Sequence, residues 1–325
     1  MRIAVTGGTG FVGSHVVELL LERGHELSCL VLPSEGRLWA EGLPVAFHEG
    51  SVGDPGSLLP FLEGCDAIVH VAGLTRSSTE EGFVAVNVAG AANVARAALS
   101  LSPAPRHMIA MSSLAAVGPC PLGSCLDEDA PLRPLTSYGR SKAAMEAELG
   151  RLGDRLPMTF IRAPAVYGPR DRDILEYFKL VRRGLRVIVG ARNVMSLLYV
   201  KNLALAIADM LLEPAAFNQA FFLADEGEWD WDQLCEEIEA SLGVRARRVH
   251  VPEWVVAAAA GFVELARPFL RKAPLLSREK LVEMRQERWV VSTEKARRLF
   301  GYRPGYSMRD AIAETARWYE AEGWI

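Results

Sequence analysis

TGGTGFVG, residues 6–13, decides the fold of this chain. It follows a β-branched run, Arg2–Thr6, and opens an apolar helical stretch, Phe11–Arg23. Gly7, Gly10 and Gly13 have the G-x-x-G-x-x-G spacing. Glycines so spaced let the backbone turn tightly and approach a pyrophosphate, whose charge is favoured at a helix N-terminus. A glycine trio alone is weak evidence. Set between a first strand and a first helix, it predicts a dinucleotide site built on Gly7, Thr9, Gly10, Phe11, Val12 and Gly13.

Working outward, short β-branched runs alternate with helical stretches. Strands are expected at Glu26–Leu32, Val45–His48, Ala67–Val71, His107–Met111 and Met158–Arg162. Helices are expected at Pro55–Glu63, Glu80–Leu99 and Thr136–Arg151, with Gly24 and Gly64 as left-handed stops. This alternation predicts an α/β fold, a Rossmann-type doubly wound parallel sheet with helices on both faces. After about residue 165 helices dominate. Asp230 with Gln233 reads as a capping box for a helix ending near Gly243, and Ser292 and Ser307 read as N-caps of helices stopped by Gly301 and Gly323. The dinucleotide-binding domain is expected over residues 1–165 plus 194–225. A smaller, mainly helical substrate-binding domain is expected over 166–193 plus 226–325.

Composition narrows the function. The 325 residues are 50% hydrophobic and 23% charged, with net charge −4 and a pI of about 6.0. No block of basic residues stands out, which argues against nucleic acid as a partner. The start, MRIAVTGG, has no signal-peptide core, so a cytoplasmic protein is expected. Cys29, Cys65, Cys120, Cys125 and Cys235 form neither a disulfide nor a zinc framework, and no metal site is expected. The longest apolar run, WVVAAAAGFV at 254–263, is too short to span a bilayer and reads as a buried helix.

Three further features carry chemistry. An acid at the end of the second strand would bind the ribose 2′-hydroxyl of NAD. Val31 and Leu32 stand there instead, while Ser34 and Arg37 are suited to a 2′-phosphate. The cofactor is therefore NADP or NAD, with the balance toward NADP, although Glu35 argues the other way. The strand His107–Met111 runs into Ser112-Ser113, at the sheet edge where ligands bind. TSYGRSK, 136–142, puts Tyr138 and Lys142 four residues apart, on one helical face. Hydride transfer between nicotinamide and a secondary alcohol or ketone needs a proton moved at the same oxygen. A tyrosine, normally near pKa 10, is expected to be pulled down by the lysine ammonium and a cationic nicotinamide, while Ser113 holds the substrate oxygen.

TGGTGFVG, SSLAAVG (112–118), YGRSK (138–142) and RAPAVYGPRDRD (162–173), at these separations, resemble the extended branch of the short-chain dehydrogenase/reductase superfamily, the NAD-dependent epimerase/dehydratase family. The resemblance covers essentially the whole chain. It implies that Ser113, Tyr138 and Lys142 are the catalytic trio and that Asn87, in VNVAG, lies near the cofactor. It further implies cofactor contacts from Val52, Val71, Ala72, Gly73, Ser112, Tyr138, Lys142, Pro164, Ala165 and Val166. Ser51 occupies a place where relatives often have an aspartate near adenine. The resemblance also implies a homodimer built on the helices at 80–99 and 136–151.

Within the family, LLYVKNLALAI (197–207) and the tail 276–307 are most similar to the 3β-hydroxysteroid dehydrogenase and dihydroflavonol reductase group. Ala165 stands where UDP-sugar epimerases usually carry asparagine. Leu114-Ala115 stand where 4,6-dehydratases carry Asp-Glu. The expectation is an NAD(P)-dependent oxidoreductase acting on an apolar, sterol- or flavonoid-like small molecule. A nucleotide-sugar epimerase and a non-catalytic dinucleotide-binding protein are the alternatives. The second is disfavoured because such relatives typically lose the Tyr or the Lys.

Overall fold

A computed structural model describes residues 1–189, 193–266 and 278–325, apart from a few side chains around 259–266. The first half runs β1 (Arg2–Thr6), α1 (Phe11–Glu22), β2 (Glu26–Val31), β3 (Ala46–Glu49), α2 (Pro55–Leu62) and β4 (Ala67–His70). Next, α3 (Glu80–Phe83) passes through a π-helical stretch, Val84–Gly90, into α4 (Ala91–Ser100). Then come β5 (Met108–Ser113), α5 (Ser137–Gly150), β6 (Met158–Ala163), β7 (Ala165–Tyr167), α6 (Leu175–Arg182), β8 (Leu185–Val189), β9 (Val194–Met195), β10 (Leu197–Tyr199), α7 (Val200–Met210) and β11 (Gln219–Phe222). The chain ends with α8 (Trp231–Leu242), β12 (Arg247–Val251), α9 (Glu253–Ala266), α10 (Arg278–Met284), β13 (Arg288–Trp289), α11 (Glu294–Phe300) and α12 (Met308–Ala321).

Seven strands pair in parallel in the order β11-β6-β5-β4-β1-β2-β3. The strands are apolar on both faces, as a doubly covered sheet requires. One face buries Val16, Val17 and Leu20 of α1 with Leu203, Ile207 and Met210 of α7. The other buries Leu58 and Phe61 of α2, Val94 and Ala98 of α4, and Met145 and Leu149 of α5. The order reverses between β1 and β4, which opens the ligand crevice above their C-terminal ends.

The left-handed glycines and the Asp230–Gln233 capping box form as read. The helix expected to start from Ser292 has its N-cap position one residue later, at Thr293, whose side chain makes no capping bond; Ser292 braces the start by accepting from the Glu294 amide. From residue 165 on, the described residues also make three two-stranded parallel pairs, β7–β10, β8–β12 and β9–β13. Their partners lie tens of residues apart, so no local pattern announced them. The apolar run at 254–263 is helical but not buried at its start: Trp254 is 72% exposed and Val255 38%. Among the described residues one helix, Glu80–Ser100, is long and apolar enough to cross a membrane, but half of that window is buried inside the protein.

Three histidines are buried neutral. Desolvation lowers His15 and His107 to about 4 and His70 to about 3. Burial acts the other way on Asp171 and Asp225, raised to about 6. The unfolded histidines take up protons near pH 6.5 and the folded ones do not, so they cost stability as pH falls. The two carboxyls bind protons earlier in the folded state and return stability between about 6 and 3.8. Among these five groups, three losses against two gains leave about one proton of net uptake on unfolding near pH 5. Unfolding free energy is therefore expected to fall by roughly 1 kcal/mol per pH unit there. Urea titrations at pH 6 and pH 5 check the slope.

Candidate active site

The site grows from the C-terminal ends of β1, β4, β5 and β6. Gly7 has φ +69° and runs so close to the exit of β4 that a Cβ would stand 2.7 Å from the Ala72 nitrogen. At Gly13 a Cβ would stand 2.0 Å from the Gly7 carbonyl oxygen, so α1 seats against the loop only with glycine there. Gly10 is different: its Cβ would meet nothing nearer than Gly7 O at 3.5 Å. The protein's own packing does not demand a glycine at 10, whereas a group approaching this backbone from outside would. Helix α1 starts at Gly10 with no side-chain cap and no acid in its first turn, leaving its positive end for an anion. These residues fit a dinucleotide pyrophosphate. Thr9 is buried beside them, with Phe11 and Val12 half-buried.

The Thr6 hydroxyl pairs with His70 Nδ1 at 2.8 Å and accepts from the Ala72 amide at 3.3 Å, bracing the exit of β4. Val71 and Ala72 are half-buried there and Gly73 is exposed. A Cβ on Gly73 would stand 3.1 Å from Asn87 Oδ1 and 3.2 Å from Lys142 Nζ, so these three residues converge. Asn87 sits in the π-helical stretch, buried. Its Oδ1 accepts from the Leu74 amide at 2.7 Å, and its Nδ2 donates to Leu74 O at 3.0 Å and Ser141 Oγ at 2.9 Å. It therefore clamps the loop after β4 to α5. The sequence reads the helix as regular; the π turn, a common device at functional sites, is a tertiary feature.

Thr136 caps α5 by accepting from the Gly139 amide at 3.2 Å. Gly139 is required: a Cβ would stand 2.3 Å from the Ala115 carbonyl oxygen. This close approach brings Tyr138 to Ser113, whose hydroxyl acts on the phenol. Gly139→Ala is expected to push α5 off the 114–116 turn and lower turnover ten- to hundredfold, with NADH affinity changed much less. Steady-state kinetics beside a fluorescence titration read both.

The protein's own groups set the starting ionisation of the pair, before any nicotinamide charge acts on it. Burial pushes Tyr138 up to about 12; the Ser113 hydroxyl opposes this and Glu283 adds to it. Lys142 does not figure among the groups that shift it. The lysine, 4% exposed, donates from Nζ to Met111 O at 2.7 Å. Burial brings it down to about 8, against the pull of Glu146 one turn away. Desolvation outweighs the charge effect expected from the Tyr/Lys spacing.

The remaining predicted contacts are placed unevenly. Pro164 is half-buried between β6 and β7; on β7, which pairs with β10 outside the main sheet, Val166 is half-buried and Ala165 exposed. Ser112 turns to the opposite face from Ser113, donating its hydroxyl to Glu146 behind the site. Val52 is buried against Gly90, and its carbonyl accepts from Asn93 Nδ2 at 3.0 Å. Ser34 and Arg37 are exposed in the loop after β2, with the Arg37 guanidinium 4.6 Å from the Phe47 ring centre and 3.8 Å from the Glu41 carboxylate.

Sequence reasoning passed over Glu279 and Glu283 of α10. Ser137 donates to Glu279 from its amide at 3.0 Å and its hydroxyl at 2.7 Å, and Thr136 donates to Glu283 at 3.2 Å. These acids lie more than 140 residues in sequence from the groups they accept from, so no spacing could reveal them. Glu146 was readable as the next turn after Lys142, but its partners were not. Leu114 is buried with Val117, Phe222 and Val291, an environment in which a dehydratase-type acid would lack a partner.

Residues 3–222 match the NAD dependent epimerase/dehydratase family. The chain is 26% identical to the ceramide reductase of Caulobacter vibrioides, over 99% of this chain and 96% of that one. It is 29% identical to 3 beta-hydroxysteroid dehydrogenase type 7 of Mus musculus, over 98% and 95%. Its fold matches UDP-glucose 4-epimerase of Thermotoga maritima with a TM-score of 0.82, at 19% identity and over 99% of each chain. That last likeness speaks of fold alone.

Proposed function

The chain belongs to the NAD dependent epimerase/dehydratase family of extended short-chain dehydrogenases/reductases, and from that premise we propose that it reduces the ketone of an apolar, lipid-like substrate at the expense of NAD(P)H. The observation that carries this reading is the meeting of Ser113, Tyr138 and Lys142 with Tyr138 holding its proton. A phenol raised to about 12 is a proton donor at neutral pH. Ser113 holds the substrate oxygen, Tyr138 gives it a proton, and solvent returns the proton to Tyr138. The nicotinamide, when bound, supplies the hydride to the carbon. Lys142, charged below about pH 8, offers its free donors to the ribose hydroxyls and its charge to the oxygen as electrons gather there.

An apolar substrate is supported by Ala165 and Leu114, where nucleotide-sugar enzymes carry polar groups, and by relatives whose names specify a ceramide, a hydroxysteroid and a sterol. The test is direct. Nucleotide released from the denatured protein is identified and quantified, and NADH or NADPH oxidation is then followed with 3-ketosteroids and long-chain ketones. Reversible cofactor binding with turnover of an apolar ketone supports the reading. Near-stoichiometric tightly held NAD with no ketone turnover overturns it in favour of a nucleotide-sugar epimerase.

The rate of reduction is expected to hold from pH 6 to about 8 and to fall above it, up to tenfold per unit, as Lys142 loses its proton. A profile flat to pH 10 would contradict that role.

The cofactor preference is for NADP(H), supported by Arg37 over Phe47 and by the absence of an acid at Val31 and Leu32. Arg37→Ala is expected to weaken NADPH about tenfold and leave NADH unchanged. Equal losses for both would remove the 2′-phosphate contact. The assembly is a homodimer through the outer faces of α3–α4 and α5, and a monomeric sedimentation coefficient would remove it.

A further inference from the structure

Behind the site lies a charged group that the proposed reaction does not use directly. Glu146 follows Lys142 by four residues on α5, so both project from one face. Its side chain is 7% exposed. It accepts a fork from Arg162 of β6, from Nε at 3.1 and 3.2 Å and from Nη2 at 2.8 Å, together with the Ser112 hydroxyl of β5. Arg162 is itself 8% exposed, donating from Nη1 to Glu128 O at 3.0 Å. One carboxylate thus ties α5 to two neighbouring strands. It grips them one residue before Ser113 and two residues before Pro164.

Stability is weak ground for this arrangement, because apolar residues of similar volume often replace a buried ion pair without loss. The location does. The Lys142 ammonium is buried with Met111 O as its acceptor. A buried ammonium in such surroundings tends to give up its proton. Around it, Asn87 and Gly73 carry no charge, His70 is neutral, and Tyr138 keeps its proton. Glu146 is the anion that acts on Lys142.

We propose that Glu146 is a positioning residue: it keeps the Lys142 ammonium charged and holds the strand end that presents Ser113 to Tyr138, with Arg162 as its counter-ion. The consequence for turnover rests on the oxidoreductase reading, whereas the ionisation of Lys142 can be measured without any substrate. The experiment is a pH titration by NMR of protein labelled with 13C-lysine, with the Lys142 signal identified by its loss in Lys142→Arg. In the wild type it is expected to titrate near pH 8. In Glu146→Gln the midpoint is expected to fall by about one pH unit or more.

Because Glu146→Gln leaves Arg162 buried without a counter-charge, a second variant is needed. Glu146→Gln/Arg162→Met removes both charges and is expected to show a smaller fall in the same direction, because the Arg162 cation that would repel Lys142 is gone too, with the fold followed by circular dichroism. A Lys142 midpoint that stays put in either folded variant overturns the proposal. The high-pH limb of ketone reduction should move down with the lysine. If no ketone is turned over but the midpoint still falls, the oxidoreductase reading fails and the positioning role stands. If turnover persists and the midpoint is unmoved, the reverse holds.

Discussion

Tyr138→Phe is expected to lower ketone turnover about a thousandfold while leaving the fold and NADH binding intact. The substitution removes one oxygen. The ring keeps its place 6.0 Å from Phe83, and the Ser113 hydroxyl keeps the Ala115 amide as a partner. Stability should therefore change by no more than about 1 kcal/mol. The chemistry has no substitute donor. Lys142 is turned to Met111 O, and a serine hydroxyl is too weak an acid to protonate an alkoxide on its own. A thousandfold loss corresponds to roughly 4 kcal/mol of barrier, within what a positioned proton donor contributes. Steady-state turnover, a fluorescence titration with NADH and a thermal melt together decide the matter. Turnover within tenfold of wild type would remove Tyr138 as the proton donor.

Gly13→Ala is the second large effect, and its comparison with Gly10→Ala separates two reasons for a glycine. At Gly13 the new Cβ would lie 2.0 Å from Gly7 O, 2.7 Å from Gly7 C and 2.9 Å from Gly8 Cα. All three are backbone atoms with nowhere to retreat, so α1 and the loop must part by more than an ångström. The expected cost is about 1–3 kcal/mol of stability and at least a hundredfold in NADH affinity, because the loop that would hold the pyrophosphate is displaced. At Gly10 the same methyl has room, with Gly7 O at 3.5 Å. Gly10→Ala should melt like the wild type and yet bind NADH much more weakly, since its Cβ takes the space a phosphate needs. If both variants bind NADH normally, this loop is not the cofactor site. If Gly10→Ala alone does, the pyrophosphate lies elsewhere along α1.

The chain's own order made the fold legible. Strand–glycine loop–helix is a local pattern, and the alternation of apolar runs that follows it is written in steps of a few residues, so βαβ units can be read directly. The Tyr138–Lys142 pair is likewise local: four residues on a helix always share a face. The caps at Asp230 and Ser307 and the left-handed glycines belong to the same class, since each satisfies backbone groups within one turn. The exposed start of α9 was misread for a related reason. Apolar composition states a tendency to be covered, while cover itself depends on what packs nearby.

Tertiary structure alone decided how the site is tuned. The Asn87 clamp on Leu74 and Ser141, the Glu146 hub joining Ser112 and Arg162, and the Glu279 and Glu283 contacts on α5 join residues separated by up to 147 positions. Periodicity carries no information about such partners. Spacing also suggested a tyrosine made acidic by its lysine and a cationic nicotinamide; the protein's own groups by themselves raise the tyrosine and lower the lysine. The sequence determines which groups share a helical face. How much water each of them loses is a property of everything packed around them, and at this site that loss outweighs the charge between them.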